Sequence, residues 1–126
     1  MYMAPEIIKG EQYNKEVDIY SFGIMLYEIA TDSPPFPEFD QHRITICEFH
    51  NKIANENYRP VFREPINKRL QELIEQCWSA DPKNRPTIDE VLIKLANPDN
   101  FLDNVDQVEV EIYLEDLLYP GTNHDN

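Results

Sequence analysis

The chain has 126 residues, enough for one modest domain that buries roughly two thirds of its unfolded surface. Lys and Arg number 11 against 24 Asp and Glu, a net charge of −13, so no basic stripe is available for duplex nucleic acid or an anionic membrane surface. The longest apolar stretch, Ile24 to Tyr27, ends at Glu28, too short for a transmembrane helix, and the first residues lack the basic start and apolar run of a secretory signal.

The acidity is uneven. Residues 97–126 hold eight of the acidic residues and none of the basic ones, which divides the chain into a body, 1–96, and an acidic tail, 97–126. Cys47 and Cys77 suit reduced thiols in a cytoplasmic protein, and two cysteines cannot form a zinc site alone.

In chain order, Pro5 after Ala4 starts a short helix that Gly10 stops. Residues 16–31 form the strongest helix: ten of the fourteen residues from Val17 to Ala30 are apolar, and they lie all round the helix. Such a helix is a core axis that needs neighbours on every side. Residues 34–39, Pro-Pro-Phe-Pro-Glu-Phe, read as a loop. A helix over 41–55 is expected, with Ile44, Cys47, Ile53 and Ala54 as its apolar positions. Pro60 and Pro65 keep 57–67 extended or turned. Leu70, Leu73, Ile74, Cys77 and Trp78 share one face of a helix over 67–79, which Asp81-Pro82 breaks. The last body helix, 88–96, carries Ile88, Val91, Leu92 and Leu95, and Thr87 with Glu90 makes a capping box at its start.

For the tail, Val108 to Ile112 alternates like a strand, while Ile112 to Leu118 has the spacing of an acidic amphipathic helix. Its acidity favours a solvated, disordered end; the sharper alternative is that Ile112, Tyr113, Leu114, Leu117, Leu118 and Tyr119 dock on the body or a partner.

Three segments combine. Tyr2-Met3-Ala4-Pro5-Glu6 comes first, Asp18-Ile19-Tyr20-Ser21-Phe22-Gly23 follows, and Cys77-Trp78-Ser79-Ala80-Asp81-Pro82-Lys83-Asn84-Arg85-Pro86 closes the series. In this order they resemble the C-terminal half of a protein kinase catalytic domain, closest to tyrosine kinases and tyrosine-kinase-like Ser/Thr kinases. Ala4-Pro5-Glu6 resembles the Ala-Pro-Glu that closes the activation segment.

The resemblance implies a mainly α fold: the helical C-terminal part of the large lobe, without the N-terminal β lobe. It implies that Glu6 and Arg85 form a buried ion pair and that Asp18 accepts hydrogen bonds from the catalytic-loop backbone. Met25 and Ile29 would support the apolar stack running to the nucleotide pocket. With Ala4, Pro5 and Trp78 these are scaffold residues, and no residue is singled out as catalytic, cofactor-binding or metal-binding. Residues 41–55 lie where the family often docks substrates or partners.

The family activity would be ATP-dependent phosphorylation of proteins on Ser, Thr or Tyr, yet the parts that hold phosphates and metal are not found. Three glycines, Gly10, Gly23 and Gly121, cannot write a phosphate loop. His42-Arg43 is followed by Ile44 instead of the catalytic Asp, and Phe49 stands where the Asn would be. Ser21-Phe22-Gly23 follows Ala-Pro-Glu instead of preceding it, and a serine cannot supply the metal-binding carboxylate.

ATP and Mg²⁺ are therefore implied only for a complete family member, and this chain alone is expected to be inactive. Its start inside a structural element suggests a partial domain whose partner is the missing N-terminal half. The alternative is a stand-alone, non-catalytic protein-binding module. Without its covering half the central helix should leave the chain marginal or sticky, and Asp18, if buried, would be an unpaired carboxylate. His42, His50 and His124 read as surface residues, Cys47 and Cys77 as inert buried thiols and Trp78 as core. Nothing in the sequence selects among Tyr2, Tyr13 and Tyr58 as an acceptor of phosphate.

Overall fold

Proline and small-residue chemistry sets the first turn. In the computed structural model, which describes residues 2–97, α1 spans Pro5–Ile8, with Pro5 in its first turn and the Ala4 carbonyl accepting from the amides of Ile7 and Ile8. Gly10 follows at φ +73°, a left-handed conformation that costs glycine little. Then α2 runs Glu16–Thr31 and closes on Asp32, whose φ of 52° is the left-handed cap that Asp tolerates better than bulkier residues.

Helix α2 is the axis of the body. Ile19, Tyr20, Phe22, Gly23, Ile24, Leu26, Tyr27 and Ala30 are all buried, as its all-round hydrophobicity requires. It packs most closely on α5, Lys68–Cys77. Gly23 explains how closely: a Cβ there would come within 2.6 Å of the Cys77 Cβ, so only a hydrogen fits at this crossing. Asn67 caps α5 by accepting from the amides of Arg69 and Leu70. Helix α6, Ile88–Ala96, starts at the Thr87–Glu90 capping box and buries Val91 and Leu95. A 3-10 turn, Pro82–Asn84, lies between α5 and α6, capped by Asp81.

The region between α2 and α5 differs from the sequence expectation. Residues 37–39 of the expected loop form, with Asp40, a short helix, α3, Pro37–Asp40, and the helix expected over 41–55 begins only at Ile46, as α4, Ile46–Asn55. His42 at φ +58° interrupts the path between them. Thr45 is the reason for the later start: its hydroxyl accepts the Glu48 amide while Glu48 returns to the Thr45 amide. The inward face then carries Phe49 and Ile53; Cys47 is exposed, which corrects its assignment as a buried thiol. Phe49 stacks on Phe39 and meets Phe36 edge-on, so an aromatic knot ties α3 and α4 to the core.

The body thus takes the helical form expected of the large-lobe part, with no strand among the described residues. The expectations for the tail, including Ile112 to Tyr119, lie outside the described residues. No helix among those described is long and apolar enough to cross a membrane.

Candidate functional site

Two distant segments converge on one ion pair. Ala4 is fully buried and Pro5 starts α1, which points Glu6 inward at 5% exposure. At the other end of the body, Asp81 and Pro82 shape the 3-10 turn, after which Arg85 adopts an extended backbone and is also 5% exposed. Arg85 Nη1 donates to Glu6 Oε2 at 2.6 Å and Nη2 to Oε1 at 2.9 Å, a two-pronged contact spanning 79 residues of sequence. The same guanidinium donates to the carbonyls of Ser79 and Glu16. One side chain therefore joins α1, the start of α2 and the end of α5.

Burial pushes the Glu6 carboxyl up, but the Arg85 hydrogen bonds and charge, with a backbone amide and the charge of Arg59, outweigh it. The carboxyl stays below the usual range and ionised.

Tyr20 forms the floor of this pair. The Arg59 and Arg85 guanidiniums each lie 5.2 Å from its ring centroid. Arg59 reaches there from the extended segment after α4, donating Nε to the Trp78 carbonyl and Nη1 to the Tyr58 carbonyl. Its role had no visible signal: Tyr58-Arg59-Pro60 matches no motif, and only the folded path brings it to Tyr20. Burial pushes the Tyr20 hydroxyl up and, at Arg59, lowers the guanidinium's proton affinity.

Trp78 is core, 6% exposed, and stands against Tyr27 and Phe62. Cys77 is buried and its thiol is pushed up to about 12 by desolvation, which keeps it protonated and unreactive.

Asp18 lies apart from this cluster. It is exposed, so the cost foreseen for a buried, unpaired carboxylate does not arise. It belongs to a stripe of α2 at helical spacing in which Ser21, Met25, Glu28 and Ile29 are half-buried and Asp32 is exposed. The N-terminal segment lies across part of the stripe: Tyr2 donates its hydroxyl to Glu28 Oε1 at 2.6 Å, and Ser21 donates to the Tyr2 carbonyl at 2.7 Å. Asp18 is exposed and Met25 and Ile29 are only half-buried on this face, as are Glu16, Val17 and Thr31 elsewhere on the helix, while Ile19, Tyr20, Phe22, Gly23, Ile24, Leu26, Tyr27 and Ala30 are enclosed.

No cluster of His, Cys, Asp and Glu able to hold a metal occurs among the described residues. A groove of about 840 Å³ beside Trp78 mixes Arg59, Arg69 and Lys94 with Glu72 and Glu75, a mixture of signs that selects no ligand class.

The family profile described as protein kinase domain matches residues 1–95. The dual specificity protein kinase shkE of Dictyostelium discoideum is 41% identical over 91 residues, covering 72% of this chain and 12% of that protein. The dual specificity protein kinase shkD of the same organism is 40% identical over 95 residues, 75% of this chain and 12% of that protein. The serine/threonine-protein kinase VIK of Arabidopsis thaliana is 37% identical over 95 residues, 75% of this chain and 20% of that protein. The chain thus spans between 12% and 20% of the length of these three relatives.

Proposed function

We propose, from the premise that this chain belongs to the protein kinase domain family, that its residues 1–96 are the scaffold part of a kinase's large lobe. The catalytic parts would come from an N-terminal half of the domain that packs on α2. Relatives described as dual specificity and as serine/threonine kinases favour phosphoryl transfer from ATP to protein hydroxyls as the activity of the complete, cytoplasmic enzyme. ATP and Mg²⁺ would be held by that half, since the 126 residues contain neither the phosphate loop nor the metal-binding carboxylate.

The observation that carries the reading is the incompletely covered face of α2 that presents the exposed Asp18 together with the half-buried Met25 and Ile29. An exposed carboxylate above two half-buried apolar side chains can accept backbone amides from a loop at one level and pack a core at the next. The Glu6–Arg85 pair fixes the end of the activation segment to this scaffold and moves no proton.

The test joins the chain behind the nucleotide-binding half of a related dual specificity kinase. The joined protein should phosphorylate a general protein substrate with ATP and Mg²⁺, Met25→Asp or Ile29→Asp should reduce the rate at least tenfold, and the chain alone should transfer nothing. Phosphoryl transfer by the chain alone, or full activity with both stripe substitutions, would overturn the proposal.

A second reading, a non-catalytic protein-binding module, draws on one observation: Ile46, on α4, is 56% exposed beside the exposed Cys47. A partner captured by the isolated, monomeric chain and lost on Ile46→Asp would favour it.

A further inference from the structure

A tyrosine accepts a phosphoryl group only if its hydroxyl and the backbone around it can enter another enzyme's cleft. Five tyrosines lie in the described body, and four are closed to that approach. Tyr20 and Tyr27 are each 1% exposed, and Tyr27 donates its hydroxyl to the Val61 carbonyl. Tyr2 and Tyr58 are half-buried, with their hydroxyls donated to Glu28 and Glu38.

Tyr13 differs in every respect. Its ring is 59% exposed and its hydroxyl makes no hydrogen bond to the described residues. It sits within residues 9–15, the longest unbroken run of exposed residues among those described. Residues 11–14 belong to no helix; the amides of Lys9, Gly10 and Glu11 donate to the carbonyls of Pro5, Ile7 and Glu6, and the carbonyls of Asn14 and Lys15 accept from the amides of Val17 and Asp18, which leaves Gln12 and Tyr13 between the two pinned ends. Tyr13 thus stands at the tip of an exposed loop, where releasing the few backbone bonds at either side extends the chain without disturbing a buried side chain.

We propose that Tyr13 is a phosphorylation site: the acceptor, within the folded body, for a tyrosine-directed or dual specificity protein kinase. The phenolic oxygen attacks the γ-phosphorus of ATP bound to that kinase, the bond from this phosphorus to the β,γ-bridging oxygen breaks, and ADP leaves. The phenolic proton passes to the kinase's base. The product adds a charge of about −1.5 to −2 to an exposed loop in which Lys9 and Lys15 stand against Glu11 and Glu16, and solvent takes up the added charge.

The full chain, with Tyr113 and Tyr119 changed to Phe so that only the body is read, is incubated with ATP, Mg²⁺ and a tyrosine kinase domain of broad specificity. The chain joined to a nucleotide-binding half is treated in parallel, so the readout does not depend on the isolated chain staying monomeric. Sites are mapped by mass spectrometry, circular dichroism verifies the fold, and a tryptic digest serves as the unfolded reference. Tyr13 should take at least tenfold more phosphate than any of Tyr2, Tyr20, Tyr27 and Tyr58 in the folded protein, and that preference should collapse in the digest. Tyr13→Phe should abolish body labelling while leaving the helical signal unchanged. Labelling of Tyr2 or Tyr58 as fast as Tyr13 in folded protein, or no labelling of Tyr13 by a kinase that labels its tryptic peptide, would overturn the proposal.

Discussion

A carboxylate 5% exposed stays charged at position 6 because Arg85 meets it with two hydrogen bonds, and the arrangement binds both partners to each other's presence. Removing one leaves a buried charge without compensation. Arg85→Ala should therefore destabilise the fold by about 3–5 kcal/mol, read as a loss of urea-unfolding midpoint. The double replacement Glu6→Leu with Arg85→Met should cost much less than Arg85→Ala, because the stranded charge disappears with its partner. The pair also sets an acid limit. The Glu6 carboxyl is held below its ordinary value of 4.5, so the unfolded chain takes up its proton first as pH falls. Its contribution is fully present above about 4.5 and is lost as pH drops through the lower folded value. Unfolding midpoints measured across acid pH should decline in that window, and Glu6→Gln should flatten this part of the decline. An unchanged slope in Glu6→Gln would assign the acid sensitivity elsewhere.

Among the helices, α2 states its own location most plainly. Apolar residues on all sides demand burial, and the bounds read from the pattern, 16–31, are those of the folded helix. Gly23 in its middle looks like a weakness until α5 is in place; then the 2.6 Å approach to Cys77 shows a crossing too close for a methyl group. Gly23→Ala should destabilise by about 1–3 kcal/mol through overpacking, despite the ~1 kcal/mol that alanine gains in helix propensity. A thermal melt settles the sign, and a stabilised variant would mean that the crossing can open. Helix α6 is legible through Thr87 and Glu90, and the same capping box at Thr45 and Glu48 starts α4 five residues later than the hydrophobic pattern suggests. Thr45→Ala should accordingly cost about 0.5–2 kcal/mol. The pattern failed there because Cys47 and Ile44 are apolar without being inward, while Phe49 and Ile53, four residues apart, define the packed face. Arg59 was illegible for a different reason. Its contacts to Trp78 and Tyr20 are tertiary, and no local spacing encodes them.

At the scale of the whole molecule, the described residues bury the core side of α2 and leave one face of it incompletely covered. Met25 and Ile29 on α2 are half-buried, with the exposed Asp18 two turns before Met25 and the half-buried Ser21 and Glu28 alongside, so the incompletely covered face sets a small apolar patch among polar groups. Apolar area left to water favours association of roughly 25 cal/mol for each Å² that a neighbour covers, and a strip on a central helix is the wrong place to satisfy it with a loose contact. The isolated chain should therefore self-associate with rising concentration, read by sedimentation or light scattering. The double change Met25→Lys with Ile29→Lys separates this cause from general instability. Both side chains are only half-buried, so their lysines can reach water along apolar stems at small cost to the fold. The variant should stay helical and shift toward monomer. Ile24→Lys, one position away but fully buried, should instead unfold the chain, because its charge would be desolvated without a partner. A wild-type chain that unfolds cooperatively as a monomer at every concentration would show that the strip is closed within the chain. The packing of a second half on α2 would then lose its physical motive.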